Sequence, residues 1–172
     1  THAQLAARQR GFVYVSPYND PDIIAGQGTI ALELLEQRKH IDTVFVAMGG
    51  GGLISGIASV LKSYSPGTRA IGVAAENSAA LAASMKAGHL PTLADGVAGG
   101  IDAGSMTVPL AKATIDEVVH CSEAEITAAL RELVLTENMI VEGAAGLVYA
   151  GFLKRTPAGR DDVNVVVLCG AN

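Results

Sequence analysis

The chain has 172 residues, 49% of them hydrophobic, so it can bury a core and is not intrinsically disordered. Its 12 basic and 17 acidic side chains leave a formal charge of −5, which excludes the basic face that nucleic acid or an anionic membrane would need. Only 4% of the residues are aromatic while 20 are glycine, which points to close helix–sheet layers rather than an aromatic-pinned β-sandwich.

Phe12-Val13-Tyr14-Val15 reads as a short apolar strand. Asp20-Pro21 reads as the N-cap and first residue of a helix, because Asp accepts free N–H groups and Pro has none to leave unpaired. That helix carries Ile23, Ile24, Ile30, Leu34 and Leu35 and runs to about Arg38. Gly26 and Gly28 inside it each cost about 1 kcal/mol against Ala, so a close-packed neighbour is expected there.

Thr43–Ala47 is a continuous apolar strand of the kind a parallel sheet buries on both faces. Four glycines follow, then a helix from Leu53 to about Ser63, a strand over Ala70–Ala74 and a small-residue helix near Ala79–Ala87. His89–Met106 has no clear periodicity and reads as a long functional loop. Glu117–Cys121 is the next strand. Ser122 and Glu125 form a capping box for a helix running to about Thr136. A helix from roughly Glu142 to Leu153 and a final strand over Val163–Leu168 close the chain. Repeated βα units imply an α/β fold with a doubly wound, mostly parallel sheet.

Cys121 and Cys169 lie far apart and form no Cys-x-x-Cys, so both are expected as reduced thiols of a cytoplasmic protein. No window approaches the ~20 apolar residues of a membrane span. Thr1-His2-Ala3-Gln4-Leu5 has neither the charged start nor the apolar stretch of a signal peptide, nor an initiator Met. His2, His40, His89 and His120 show no metal or triad spacing, and no Gly-x-Ser-x-Gly nucleophile turn occurs.

Met48-Gly49-Gly50-Gly51-Gly52-Leu53 is the most informative segment. Four glycines between an apolar strand and an amphipathic helix let several backbone N–H groups converge on one anion beside a positive helix end. A phosphate is the natural ligand. The Gly-Lys-Ser/Thr of a Walker loop is missing. Gly50, Gly52 and Gly56, with Glu76 at the end of the next strand, imitate an NAD-type dinucleotide fingerprint, and that alternative stays open at this point.

Ala47-Met48-Gly49-Gly50-Gly51-Gly52-Leu53-Ile54-Ser55-Gly56 resembles the tetraglycine phosphate loop of fold-type-II pyridoxal-phosphate enzymes, most closely the threonine/serine dehydratase and serine racemase family. Asp20–Thr29, Ala94-Asp95-Gly96-Val97, Val141–Gly146 and Leu168–Asn172 follow in the family's order and approximate spacing. The resemblance implies a tryptophan synthase β-like large domain over residues 21–172, with residues 1–20 as the end of a small domain. It implies pyridoxal 5'-phosphate as cofactor, its phosphate on Gly49, Gly50, Gly51, Gly52 and the Leu53 amide. Cys169 is then expected to face the pyridine nitrogen, where the family usually has Ser or Thr, and Gly96 and Glu142 to lie near the ring edge.

For Glu76 and the Ala80 carbonyl the resemblance implies a divalent-cation site. Ala82 stands in the place of the second acid, however, and one carboxylate falls short of the six or more oxygens a hard cation wants. An ordinary strand-end glutamate is the expectation.

The implied activity converts a β-hydroxy amino acid to a 2-keto acid and ammonia, in a homodimer or tetramer acting on a small amino-acid substrate. The alternatives are a serine racemase or hydroxyaspartate dehydratase, and, for this chain by itself, a non-catalytic assembly module. The family's Schiff-base lysine lies in a Ser-x-Lys-x-Arg-Gly motif that these 172 residues lack. Ser84-Met85-Lys86 lies after the glycine loop and continues as Ala87-Gly88. Lys39, Lys62, Lys112 and Lys154 sit on charged surface patterns. The chain is therefore expected to be the C-terminal part of such an enzyme and inactive alone.

Overall fold

The computed structural model describes residues 2–78, 94, 101–102, 104–155 and 161–170. Its first element has no apolar periodicity to announce it: α1 (His2–Arg10) buries only Ala7. Gly11 ends it at φ +69°, which lets the Phe12 N–H reach the Ala7 carbonyl at 2.9 Å in a Schellman-type cap. The strand expected at Phe12–Val15 is corrected: these residues are in no ladder among the described residues. Phe12 and Val13 are 66% and 90% exposed. An apolar run becomes a strand only beside an edge that can pair with it.

Helix α2 (Pro21–Gln37) starts as its sequence dictates, with Asp20 accepting from the N–H groups of Asp22 and Ile23 at 3.0 and 3.2 Å. Strand β1 (Thr43–Ala47) is buried at every position. Helix α3 (Gly52–Tyr64) leads to β2 (Arg69–Ala75). Next come α4 (Thr107–Thr114), β3 (Glu117–Cys121), α5 (Glu123–Thr136), α6 (Gly143–Arg155) and β4 (Asn164–Val166). The short α4 carries no sequence expectation, whereas the capping box at Ser122 and Glu125 forms as expected. The helix expected near Ala79–Ala87 and most of the His89–Met106 stretch lie outside the described residues.

All strands run parallel in the order β3-β2-β1-β4, with Val44 beside Ala70 and Phe45 beside both Ile71 and Val166. Alternation along β1 divides the core. Val44 and Val46 pack with Ile54, Ile57 and Leu61 of α3, and Phe45 and Ala47 pack with Ile126, Leu147 and Val148 of α5 and α6. Helices thus cover both faces, as a parallel sheet requires.

α2 and α3 approach through their glycines. A Cβ on Gly56 would run into the Ile24 carbonyl, and one on Gly28 would meet Val60 Cγ2 at 2.9 Å. Gly26 has nothing within 4 Å of such a Cβ, so the close neighbour expected in this helix is found at Gly28 alone.

Ion pairs gather at the N-terminal ends of the strands. Lys62 Nζ lies 2.8 Å from Asp116, whose carboxylate also accepts the Ala70 N–H at 2.7 Å. Glu117 accepts from Arg155 Nε at 2.8 Å and Arg69 Nη2 at 2.7 Å. The Arg155 bond, helped by Arg69 and opposed by partial burial, holds the Glu117 carboxyl below its usual 4.5. A carboxyl depressed on folding stabilises fully above its unfolded value and ceases to as pH falls through the folded one. Glu117→Gln is therefore expected to lower stability by about 1 kcal/mol at pH 7. Its melting curve should converge on wild type below about pH 4, and a difference that persists unchanged there would count against the ion pairs.

Candidate functional site

β1 ends at Ala47, and the Met48 N–H still bonds the Val73 carbonyl at 2.8 Å. The chain then has to turn sharply into α3. Gly51 makes the turn at φ +89°, where an L side chain is strained. Gly51 has no side chain to cap α3, and the Ser55 N–H returns to the Gly51 carbonyl at 2.9 Å as the first intrahelical bond. The N–H groups of Gly52, Leu53 and Ile54 come before that bond and have no intrahelical partner.

Two of the four glycines answer to a residue that no motif singles out. A Cβ on Gly50 would meet the Tyr18 ring at 2.6 Å, and one on Gly52 would meet Tyr18 Cα at 2.8 Å. Tyr18 is pressed against the loop, and its hydroxyl accepts the Asp102 N–H at 3.0 Å. Burial, ahead of the opposing Asp102 amide bond, raises its phenol pKa.

The loop opens onto a cavity of about 470 Å³, in the range of small-ligand sites. Gly49, Gly50, Gly51, Gly52 and Leu53 line one side, and Glu142, Val167, Leu168 and Cys169 line the other. It lies beyond the C-terminal ends of β1 and β4, where the sheet order reverses on either side of β1. Open α/β sheets bind ligands at that switch point. Among the described lining residues Glu142 alone is charged, and it is acidic. Among the described residues an anion here would be held by amides and the α3 dipole rather than by Lys or Arg. This donor set fits a phosphate.

Glu142 precedes α6 and ties back to the last strand's exit, its N–H donating to the Gly170 carbonyl at 3.3 Å. Gly170 has φ +88°, and a Cβ there would overlap the Glu142 carboxyl, so the acid lies flat across this glycine. Cys169 is half-buried. Burial pushes its thiol pKa up, the Glu142 charge adds to this, and a backbone hydrogen bond opposes it. The thiol is neutral at pH 7. Cys121 is buried among strand and helix side chains, its thiol pushed up to about 11 by burial first.

The structure thus brings together Gly49, Gly50, Gly51, Gly52, Leu53, Glu142 and Cys169. Gly96 and Ala80 lie outside the described residues. Glu76 starts a short 3-10 turn after β2 and does not line the cavity. It lies instead near Cys121 and Lys154, on which its charge acts. No group of three or more His, Cys, Asp or Glu is arranged to hold a metal among the described residues. Lys62 and Lys154 are engaged with Asp116 and Glu125, and no described lysine lines the cavity. Among the described residues no helix is long and apolar enough to cross a membrane.

Comparison with known proteins gives the same answer as the motifs. The sequence family described as pyridoxal-phosphate dependent enzyme matches residues 1–170. The L-threonine ammonia-lyase of Thermotoga maritima is 39% identical over 166 residues, covering 93% of this chain and 41% of that protein. The processed form of threonine deaminase isoform 2 from Solanum lycopersicum superposes with a TM-score of 0.87 at 32% identity, over 99% of this chain and 52% of that one. Serine racemase from Dictyostelium discoideum gives 0.83 at 27% identity, over 99% and 57%. The chain spans about half the length of the relatives it matches. With this parallel sheet, this amide-lined cavity and a match along nearly its whole length, the chain belongs to the pyridoxal-phosphate dependent enzyme family.

Proposed function

We propose that the whole protein is an ammonia-lyase of the threonine/serine dehydratase type, converting a β-hydroxy amino acid to a 2-keto acid and ammonia. The observation that carries this is the juxtaposition of an uncapped, cation-free glycine loop with a neutral thiol across one cavity. The likeness to a threonine ammonia-lyase and a threonine deaminase supports the substrate class.

Bound pyridoxal phosphate supplies an electron sink for bond breaking at the substrate's α-carbon. The amides of Gly49–Leu53 would bind its phosphate. Cys169 would face its pyridine nitrogen and Glu142 its ring edge, a role the family resemblance also gives to Gly96. A thiol whose pKa is raised by burial keeps its proton at pH 7 and has none to spare for the ring. A pyridine nitrogen beside it would stay unprotonated and would be a weaker electron sink than one paired with an acid, which suits loss of the β-hydroxyl. Glu142, held by its N–H on Gly170 and its carboxyl against that glycine, would help to orient the ring. Ala47 and Ala144 line the cavity with small apolar side chains.

This reading takes residues 21–172 as the large cofactor-binding domain and residues 1–20 as the end of a small one. It also takes the enzyme as cytoplasmic and as a homodimer or tetramer. The test is turnover by the full-length protein loaded with cofactor. L-Threonine or L-serine is expected to yield 2-keto acid and ammonia in equal amounts. The likeness to a serine racemase favours one competing reading, racemisation. D-Serine accumulating without keto acid would replace the lyase assignment with it.

A further inference from the structure

Thr107, the first residue of α4, is fully buried, and its Oγ1 donates to the Gly50 carbonyl at 2.8 Å across 57 positions of sequence. Ser105 Oγ lies 2.8 Å from Thr107 Oγ1 and accepts the Thr107 N–H at 3.4 Å. Proton counting fixes the direction of this chain. A carbonyl only accepts, so the single hydroxyl proton of Thr107 goes to Gly50, and Ser105 must donate into Thr107 Oγ1. The backbone behind this relay is held as well: Asn19 Oδ1 accepts the Met106 N–H at 2.9 Å.

The Gly50–Gly51 peptide is trans. In a trans peptide the carbonyl and the following N–H point to opposite sides. Thr107 lies behind the loop and does not line the cavity, whereas Gly50 and Gly51 do. Holding the Gly50 oxygen on the Thr107 side therefore turns the Gly51 N–H toward the cavity. Between two glycines a peptide flip meets little steric resistance, and the flipped form would aim a carbonyl oxygen at the anion.

We propose that Thr107 is a positioning residue for the anion grip: its hydroxyl selects the orientation of the Gly50–Gly51 peptide that presents an N–H to the cofactor's phosphate. This rests on the reading above, that the glycine loop holds the phosphate of pyridoxal phosphate.

The experiment titrates the full-length protein with pyridoxal phosphate and, separately, with pyridoxal, which lacks the phosphate. Wild type is expected to prefer the phosphorylated form. Thr107→Val keeps the shape and removes the hydroxyl. It should bind pyridoxal phosphate about ten-fold more weakly and pyridoxal equally well, while Thr107→Ser restores the preference. Ser105→Ala leaves the Thr107–Gly50 bond but not the hydroxyl that feeds it. It should erode the same preference by about two- to three-fold, which keeps the proposal open to refutation if Thr107→Val fails to fold. Equal loss for both ligands, or no loss for either, overturns the role of Thr107. A wild type without any preference for pyridoxal phosphate overturns the reading beneath it.

Discussion

Gly56→Ala is expected to lower the melting temperature of the full-length protein by several degrees, while Gly26→Ala, in the neighbouring helix α2, leaves it unchanged or slightly raised. The two substitutions add the same methyl group to helix interiors. At Gly56 it is driven into the Ile24 backbone carbonyl and against Gln27 Cβ at 2.9 Å. A carbonyl inside a helix has no rotamer to escape into, so α2 and α3 must separate. Forced overpacking of this kind costs about 1–3 kcal/mol or more. At Gly26 the methyl meets nothing within 4 Å, and the exchange gains up to about 1 kcal/mol of helix propensity. Thermal melts of the two variants side by side decide it. Equal shifts would mean that the glycine contact does not set the helix spacing.

The second large effect falls on the cofactor loop. Gly50→Ala and Gly52→Ala are each expected to weaken pyridoxal phosphate binding by about ten- to a hundred-fold, the equivalent of an overpacking cost of about 1–3 kcal/mol. Their obstacles differ. At Gly50 the new methyl meets ring carbons of Tyr18, and at Gly52 it meets the Tyr18 backbone. Adding Tyr18→Ala should therefore relieve Gly50→Ala and leave Gly52→Ala impaired. Spectroscopic titration of the two double variants reads this directly. Rescue of both, or of neither, would contradict the packing described.

Much of this was legible in the sequence, and for identifiable reasons. β1, α3 and the run Gly49–Gly52 were readable because strand burial, helix periodicity and glycine are local properties. So were the caps at Asp20 and Ser122, whose partners lie two or three residues on. α1 was not readable because it buries one residue in nine. The stretch Phe12–Val15 was misread because apolar content says nothing about whether an edge is available. Tyr18 and Thr107 went unnoticed for a third reason. Each acts on the glycine loop from a distant place in the sequence, as an ordinary-looking residue in a segment with no motif. Glu76 shows the converse: it follows the strand beside β1 and yet does not line the cavity.

The open run at Phe12–Val15 also bears on how this polypeptide behaves in a tube. Phe12, Val13 and Val15 face water on a stretch that pairs with no strand among the described residues. An exposed apolar run of this kind favours association between chains. The net charge of −5 supplies only modest repulsion against such pairing. Val13→Lys, at a side chain that is 90% exposed and does not line the cavity, is then expected to raise the solubility of this polypeptide.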